Sequence, residues 1–468
     1  MKELKPTEIP RQTMPTQSAD KRRHNFHEVP YGLTVEQALQ ESHRCLQCKH
    51  APCIEGCPVH INIPAFIKKI KEKDFTGAYD TILDDNAFPS ICGRVCPQED
   101  QCEIVCVMAK KHEPVAIGNL ERFVGDYARA HDYKPNTDIT HERPEKIAVI
   151  GAGPAGLSCA GDLRRMGYQV TLFEGLHTPG GVLMYGIPEF RLPVDIILKE
   201  IDTIRNLGVT LETNHVIGRI ATIDDLFNQG YAALFIGVGA GHPRFLNIPG
   251  ENLNYIYSAN EYLTRVNLMG AFKKDAHTPI VVGKKVIVIG GGNTAMDSAR
   301  TALRLGAEKV YIVYRRSEAE LPARAAEYRH AQEEGINFHF LYHPAEFYRN
   351  EKTNPCAVGG VRLQKMKLGE PDSDGRRQPI PIDEYINIEC DVVIIAIGTL
   401  ANPIIGRTTP GLTLTDKGYI AIDEHMATSR AGVFAGGDIT SGSATVIAAM
   451  GAGRKAAQSI HAYLNKNQ

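Results

Sequence analysis

Apolar residues along this chain change their spacing once, and the change divides it. In the first third they recur at helical intervals. Thr34 caps a helical run over residues 35–45, supported by Glu36 and Glu41. Ala65, Ile67, Ile70, Phe75 and Ala78 predict a helix over 64–79, and 118–130 reads as a third. Between 131 and 145 the chain turns polar, gains Pro135 and Pro144, and loses any apolar period, which marks a domain boundary. Beyond Lys146, short β-branched runs alternate with glycine loops and helical stretches. The runs fall at 147–150, 170–173, 233–238, 286–289, 310–314, 392–397 and 433–435. Such alternation predicts βαβ units and parallel sheets. Two units, KIAVIGAGPAG (146–156) and KVIVIGGGNTA (285–295), lie 139 residues apart and predict two nucleotide-binding domains, tandem or nested.

Composition narrows the class. The chain has 468 residues, enough for two or three domains, with 52 Lys plus Arg against 54 Asp plus Glu. That balance argues against nucleic acid and membrane surfaces as partners. No apolar run approaches a spanning helix, and the first thirty residues lack a secretory core, so a cytoplasmic location is expected. Eleven cysteines change the picture, because eight lie within 62 residues. Disulfides do not suit a reducing compartment. The spacing is Cys45-x2-Cys48-x4-Cys53-x3-Cys57-Pro58, then Cys92-x3-Cys96-Pro97 and Cys102-x3-Cys106. Thiolates two to four residues apart reach adjacent irons of a cubane, and a proline after a ligand fixes the loop. Structural zinc knuckles are the alternative. Two four-iron clusters would use all eight cysteines only if each is a ligand.

The glycine loops bring candidate nucleotide chemistry. Gly151, Gly153, Pro154, Ala155 and Gly156 follow a strand and open a helix, and Glu174 ends the next strand 18 residues after Gly156. The glycines permit close backbone approach to a pyrophosphate, and the acid suits a ribose diol. Gly180 and Gly181 supply a flexible backbone beside that loop. VFAGGD (433–438) places Gly437 and Asp438 at a strand end, before a helix expected over 443–457 that begins at Ala444, Thr445 and Val446. Asp438 there suits a ribityl hydroxyl, and the helix N-terminus suits the pyrimidine edge of a flavin. The second loop is Gly290, Gly291, Gly292, Asn293, Thr294 and Ala295, and its next strand ends in Arg315 and Arg316 rather than an acid. Arginines there accommodate a 2′-phosphate, so NADPH is expected rather than NADH. His339 and His343 read as a surface pair. With no nucleophile elbow and no paired cysteines after Cys106, chemistry falls to cofactors.

Together these motifs resemble the small (beta) subunit family of NADPH-dependent glutamate synthase. Its relatives include the N-terminal part of dihydropyrimidine dehydrogenase and the large subunit of a ferredoxin:NADP oxidoreductase. The resemblance runs from about Thr34 to Leu464. It rests on CLQCKHAPCIEGCPVHINIP, CGRVCPQEDQCEIVC, IGAGPAG, GGVLMYGIPEFRLP, GGGNTAMD, YRR and FAGGD. It implies an α/β protein: an N-terminal α-helical double 4Fe–4S domain (1–144), then nested Rossmann-like domains for FAD (145–245 and 400–468) and NADPH (246–399). It implies hydride passing from NADPH to FAD and single electrons leaving through the clusters. It also implies crossed ligation, with Cys45, Cys48, Cys53 and Cys106 on one cluster and Cys57, Cys96, Cys102 and Glu121 on the other, leaving Cys92 aside. The implied partner is the glutamate synthase large subunit in glutamate biosynthesis, in an oligomer. The alternatives are a ferredoxin-linked flavin subunit and a non-catalytic scaffold.

Overall fold

The computed structural model describes residues 4–351, 354–371 and 375–466. The N-terminal third is helical: α1 Val35–Ser42, α2 Ile63–Lys71, α3 Phe75–Leu83, α4 Pro89–Val95 and α5 Ile117–Ala130. Three of these helices depart from the expectation. α1 stops at Ser42, ahead of Cys45. The run expected as one helix over 64–79 is two, because Lys73 adopts φ +63° and Asp74 accepts from the Gly77 amide at 3.0 Å. The Asp74 side chain thus replaces the helical backbone partner and starts a new helix. α2 still buries Ile63, Phe66, Ile67 and Ile70, and α3 buries Phe75, Ala78, Tyr79, Ile82 and Leu83. α4 crosses α5 closely. A Cβ at Gly93 would stand 2.5 Å from the Arg122 amide nitrogen, and one at Gly125 would stand 2.5 Å from the Ser90 hydroxyl.

Two parallel sheets follow. The first holds β1 Lys146–Ile150, β2 Gln169–Phe173, β3 Thr210–Glu212, β4 Tyr231–Ile236 and β13 Val433–Ala435, in the order β13-β4-β1-β2-β3. The second holds β5 Ile256–Ser258, β6 Lys285–Ile289, β7 Lys309–Tyr314, β8 Asn337–Phe340 and β12 Val392–Ile395, in the order β5-β12-β6-β7-β8. In each sheet the glycine-loop strand (β1 or β6) is where the strand order reverses, and ligands of open parallel sheets bind in the crevice at that point. Helices α6 Pro154–Arg165 and α8 Asn293–Leu305 leave those two crevices. α7 Val194–Asn206 and α9 Ala325–Glu333 flank the sheets, and α10 Val446–Lys466 packs along α6.

The sequence reading missed one layer. Strands β9 Tyr342–Asn350, β10 Asn354–Pro371 and β11 Arg377–Glu389 form an antiparallel sheet inserted before β12. Register shifts interrupt both of its pairings, which blurs the two-residue alternation that would have announced it. Several strand limits also move. β4 begins at Tyr231 and ends at Ile236, two residues before the expected end, and β12 ends at Ile395. α10 begins at Val446, three residues later than expected, after a short helix Asp438–Ser441, and runs on to Lys466.

A buried ionic cluster joins the three parts. Glu334, just after α9, accepts from Arg22 (2.9 Å), Arg300 (2.8 Å) and Arg304 (2.7 Å). Arg191 pairs with Asp297 at 2.6 Å and with Glu327 at 3.3 Å, and Arg300 also pairs with Glu327. Arg22 comes from the N-terminal segment and Arg191 from the PEFRLP loop, so both are tied to the helices of the second sheet. Arg324 adds a further tie, donating to the Arg94 carbonyl oxygen at 2.8 Å and to Gln98 at 2.9 Å. No helix among the described residues is long and apolar enough to cross a membrane.

Candidate functional site

The eight clustered cysteines separate into an outer and an inner group. Cys45, Cys48, Cys53 and Cys106 line one small cavity whose remaining walls are apolar, among them Ile63, Ile67, Met108 and Ile117. All four are half-buried. Burial first, and then the charges of Cys106, Cys45 and Cys48, push the Cys53 thiol up to about 12. Burial likewise raises Cys45, with Cys106 and Cys48 adding to it. Cys106 therefore sits with the first cysteine run, far from it in sequence.

The inner group is fully buried. Burial raises Cys57 to about 11, opposed by backbone hydrogen bonds and reinforced by the charges of Glu121 and Cys96. Cys102 is raised by burial and by Glu103, Glu121, Cys57 and Cys96. Cys57, Cys96, Cys102 and Glu121 thus lie within reach of one another's charges. Glu121 comes from α5, brought near by the close α4–α5 crossing. It is 6% exposed, accepts from the Asn86 amide at 2.7 Å, and is pushed up to about 8 by burial. Cys92 lies beside this group, within hydrogen-bond and charge reach of Cys96 and charge reach of Glu121, and its Sγ also stands 3.6 Å from the Asn86 side chain and 3.7 Å from the Met450 sulfur. Among the described residues no three His, Cys, Asp or Glu converge tightly enough for a single metal ion. Buried thiols with raised pKa values ionise when a metal centre replaces the proton.

At the first crevice Gly151 adopts φ +101°, and a Cβ there would stand 2.6 Å from the Gly237 carbonyl oxygen. The loop residue Ala152 donates its amide to Glu174 at 2.8 Å, and Leu176 donates to the other Glu174 oxygen at 2.9 Å. A carboxylate retains acceptor capacity beyond those two bonds. Gly180 donates to the Ala152 carbonyl oxygen at 2.8 Å, and a Cβ on Gly181 would meet Gly153 Cα at 2.9 Å. The Gly180–Gly181 turn therefore lies on the loop of Gly151, Gly153 and Pro154. From the far end of the chain, Gly437 packs on Ala155, where a Cβ would stand 2.9 Å from the Ala155 Cβ. Asp438 accepts from the Ala444 amide at 3.2 Å, and the Thr445 hydroxyl accepts from the Ala448 amide at 3.2 Å, just ahead of the α10 start at Val446. Sequence reasoning missed Tyr185, which is raised to about 12 by burial and by the charges of Asp438 and Glu174, and so lies within electrostatic reach of both acids. Its only sequence signal was its place in GGVLMYG.

α10 continues from this crevice to the inner cysteines. A Cβ on Gly451 would stand 2.7 Å from the carbonyl oxygen of Pro58, the residue after Cys57, and Met450 touches Cys92. One helix therefore begins at the first nucleotide loop and lies, one to two turns on, against a cysteine loop.

The second crevice is a cleft of about 940 Å³ lined by Gly290, Gly291 and Gly292, with Arg315 and Arg316 on its wall. Gly290 adopts φ +144°, and a Cβ there would overlap the Ala396 carbonyl oxygen. Asn293, Thr294 and Ala295 form the first turn of α8. Asn293 accepts from the Arg324 amide at 2.9 Å, and the Thr294 carbonyl oxygen accepts from the Ser298 hydroxyl at 2.8 Å. Ala295 is fully buried. The expected surface pair is corrected. His339 and His343 sit on successive strands on either side of Leu341, both are half-buried, and His343 lines the cleft.

Comparisons with known proteins agree with both halves of this architecture. Residues 22–133 match the family described as dihydropyrimidine dehydrogenase domain II, 4Fe-4S cluster. Residues 145–453 match the pyridine nucleotide-disulphide oxidoreductase family. The chain is 40% identical over 442 residues to the NADP(+)-dependent formate dehydrogenase subunit beta of Moorella thermoacetica, covering 89% of this chain and 60% of that protein. It is 36% identical to the NADPH-Fe(3+) oxidoreductase subunit beta of Geobacter sulfurreducens, covering 91% of this chain and 65% of that one. It is also 36% identical to the glutamate synthase [NADPH] small chain of Azospirillum brasilense, covering 95% of this chain and 93% of that one. The chain thus spans less than two thirds of the first two relatives and nearly all of the third. Among solved structures, Mycobacterium tuberculosis FprA in complex with NADPH shares the fold over 69% of this chain and 85% of its own, with a TM-score of 0.59 and 21% identity. The ordered cysteine and glycine motifs, the two parallel sheets and a near full-length match converge on one conclusion: the chain belongs to the glutamate synthase NADPH small-chain family of pyridine nucleotide-disulphide oxidoreductases bearing a 4Fe–4S domain.

Proposed function

We propose that the chain takes electrons from NADPH at the second crevice and delivers them, through FAD at the first and two 4Fe–4S clusters in the helical domain, to a large partner subunit. Bound in these places, the flavin accepts a hydride and the clusters carry electrons singly. The observation that carries the reading is α10, which joins the first crevice to the Cys57–Pro58 loop. The residues fit the groups. Gly151, Gly153, Gly156 and Glu174 would hold the adenosine half of the flavin nucleotide, and Asp438 with residues 444–446 would hold its other end. Cys45, Cys48, Cys53 and Cys106 would hold the outer cluster, and Cys57, Cys96, Cys102 and Glu121 the inner one. The number and spacing of the cysteines, the two Cys–Pro pairs and the apolar walls of the cavity favour an iron–sulfur cubane over zinc.

For the partner, the glutamate synthase small chains favour a glutamate synthase large subunit over a ferredoxin-linked flavin subunit. The formate dehydrogenase relative is likewise a beta subunit, but one named for NADP(+)-dependent formate oxidation, in which electrons run to NADP(+) rather than from NADPH. Purified chain should reduce an artificial one-electron dye with NADPH; no turnover despite bound flavin and iron would sink the electron-input reading in favour of a scaffold. Co-purification of an amidotransferase-sized subunit identifies the glutamate synthase assembly, and a dehydrogenase subunit in its place overturns that partner.

The inner ligand set has its own test. Glu121→Ala should change the EPR spectrum of one reduced cluster, whereas Cys92→Ser should leave both spectra as they are. The reverse pattern would make Cys92 the ligand and leave Glu121 a buried neighbour.

A further inference from the structure

The second crevice is cationic along its wall. Arg244, Arg315, Arg316, Arg376, Lys417 and His343 line it, and no carboxylate does among the described lining residues. Such a bias selects a ligand with several negative charges. The sequence points to the adjacent pair Arg315 and Arg316 for a 2′-phosphate, yet the two side chains have different surroundings. Arg315 is exposed along the cleft. Arg316 is buried, and its Nε donates to the Arg377 carbonyl oxygen at 2.8 Å.

Arg377 is held from a second side. Its Nε donates to Glu320 at 2.5 Å and its Nη2 lies 3.4 Å from the Ser317 hydroxyl. Ser317 and Glu320 belong to the loop that follows β7, the strand that ends immediately before Arg315. These bonds staple the start of β11 to that loop, and the neighbouring residue is Arg376, half-buried on the cleft wall. Partial desolvation, then the charges of Arg316 and Arg376, lower the Arg315 pKa, which places Arg376 within electrostatic reach of Arg315. Two guanidinium groups from separate segments, one just after β7 and one just before β11, can meet one phosphate from two directions. The first crevice has no such inserted sheet, and Glu174 stands there instead.

We propose that Arg376, brought in by the inserted antiparallel sheet, is a specificity-determining residue for NADPH that joins Arg315 on the 2′-phosphate, while Arg316 is the positioning residue that holds its strand. This inference rests on the reading of the cleft as the NADPH site, and the variants separate the two.

The full-length holoenzyme is titrated calorimetrically with adenosine 2′,5′-bisphosphate and with ADP, and dye reduction is followed with NADPH and NADH. Arg376→Ala should weaken bisphosphate binding about tenfold, the loss of one or two charge-assisted bonds. ADP affinity should stay within about twofold, since it carries no 2′-phosphate. The KM for NADPH should rise with kcat unchanged, the KM for NADH should not move, and Arg376→Lys should restore part of the loss. Arg316→Ala should reproduce the effect, and adding it to Arg376→Ala should cost little more. If Arg315→Ala weakens the bisphosphate but Arg376→Ala does not, or Arg376→Ala weakens both probes alike, the inference is wrong and the NADPH reading stands. If Arg315→Ala also leaves bisphosphate binding intact, the NADPH reading of the cleft fails, and the inference falls with it.

Discussion

Glu334→Ala will cost about 3–5 kcal/mol of stability, the range for removing one partner from a buried ion pair. Three arginines converge on this carboxylate, and the side chains of Arg22, Arg300, Arg304 and Glu334 are 2% exposed or less. Without it, Arg22 and Arg300 keep a charged partner, in Glu333 and Glu327, whereas Arg304 keeps none among the described residues. The loss is read as a lower midpoint in denaturant and in heat; a change under about 1 kcal/mol, the scale of a surface pair, would refute a structural role for the cluster. The pH dependence has a definite sign. Burial alone would raise Glu334, but hydrogen bonds from Arg304 and Arg300 and their charges outweigh it and hold the carboxyl well below its ordinary 4.5. A carboxylate with a depressed native pKa stabilises above the unfolded value and loses that contribution as pH falls below it. Glu327, held at about 2, acts in the same sense. Asp297, pushed up to about 6 by burial, acts oppositely between about pH 4 and 6. Glu334→Gln, less stable at neutral pH, should therefore lose less on acidification below about pH 4.5 than the parent does.

Gly156→Val will empty the first crevice. A Cβ on Gly156 would overlap the Gly151 carbonyl oxygen and stand 3.3 Å from the Val149 side chain. Backbone cannot move aside as a flexible side chain can, so the first turn of α6 must lift from the loop proposed to receive the pyrophosphate. We expect at least about a tenfold fall in flavin affinity, measured as flavin released per chain. Ala295→Gly is the matched control, because the second loop carries a methyl at the equivalent place and lies in the other crevice. It should leave flavin content unchanged. Full flavin occupancy in Gly156→Val would remove the first glycine loop from the FAD site.

Several features were legible before any coordinates. The change of apolar period at Lys146, the two glycine units and the acid or arginine ending each following strand correspond to the two parallel sheets and their crevices. These signals are local: a tight turn, a strand and a helix lie within about thirty residues, so spacing reports geometry. The placing of Cys106 with Cys45, Cys48 and Cys53, and of Glu121 with Cys57, came from a family resemblance. No spacing rule reaches across those distances. The break at Lys73 escaped because Asp74 competes with the helical backbone through one side chain, leaving the apolar period intact across the junction.

What the sequence determined by itself is the chemistry available: thiolates in cluster spacing, one loop followed by an acid and another followed by arginines. Only the tertiary structure decided which groups meet. Arg22 and Glu334 carry no motif and lie far apart in the chain, yet desolvation makes them partners, because a buried charge must be paired. Arg315 and Arg316 are neighbours in sequence just past the end of β7, yet one is exposed along the cleft and the other is buried with its Nε on the Arg377 carbonyl oxygen. The inserted sheet, whose shifted registers conceal it in the sequence, brings Arg376 to the cleft. Likewise α10 reads as one more alanine-rich helix until Gly451 is seen against Pro58. Contact between the nucleotide crevice and the cysteine loop is a matter of packing, set by the close approach that glycine permits there.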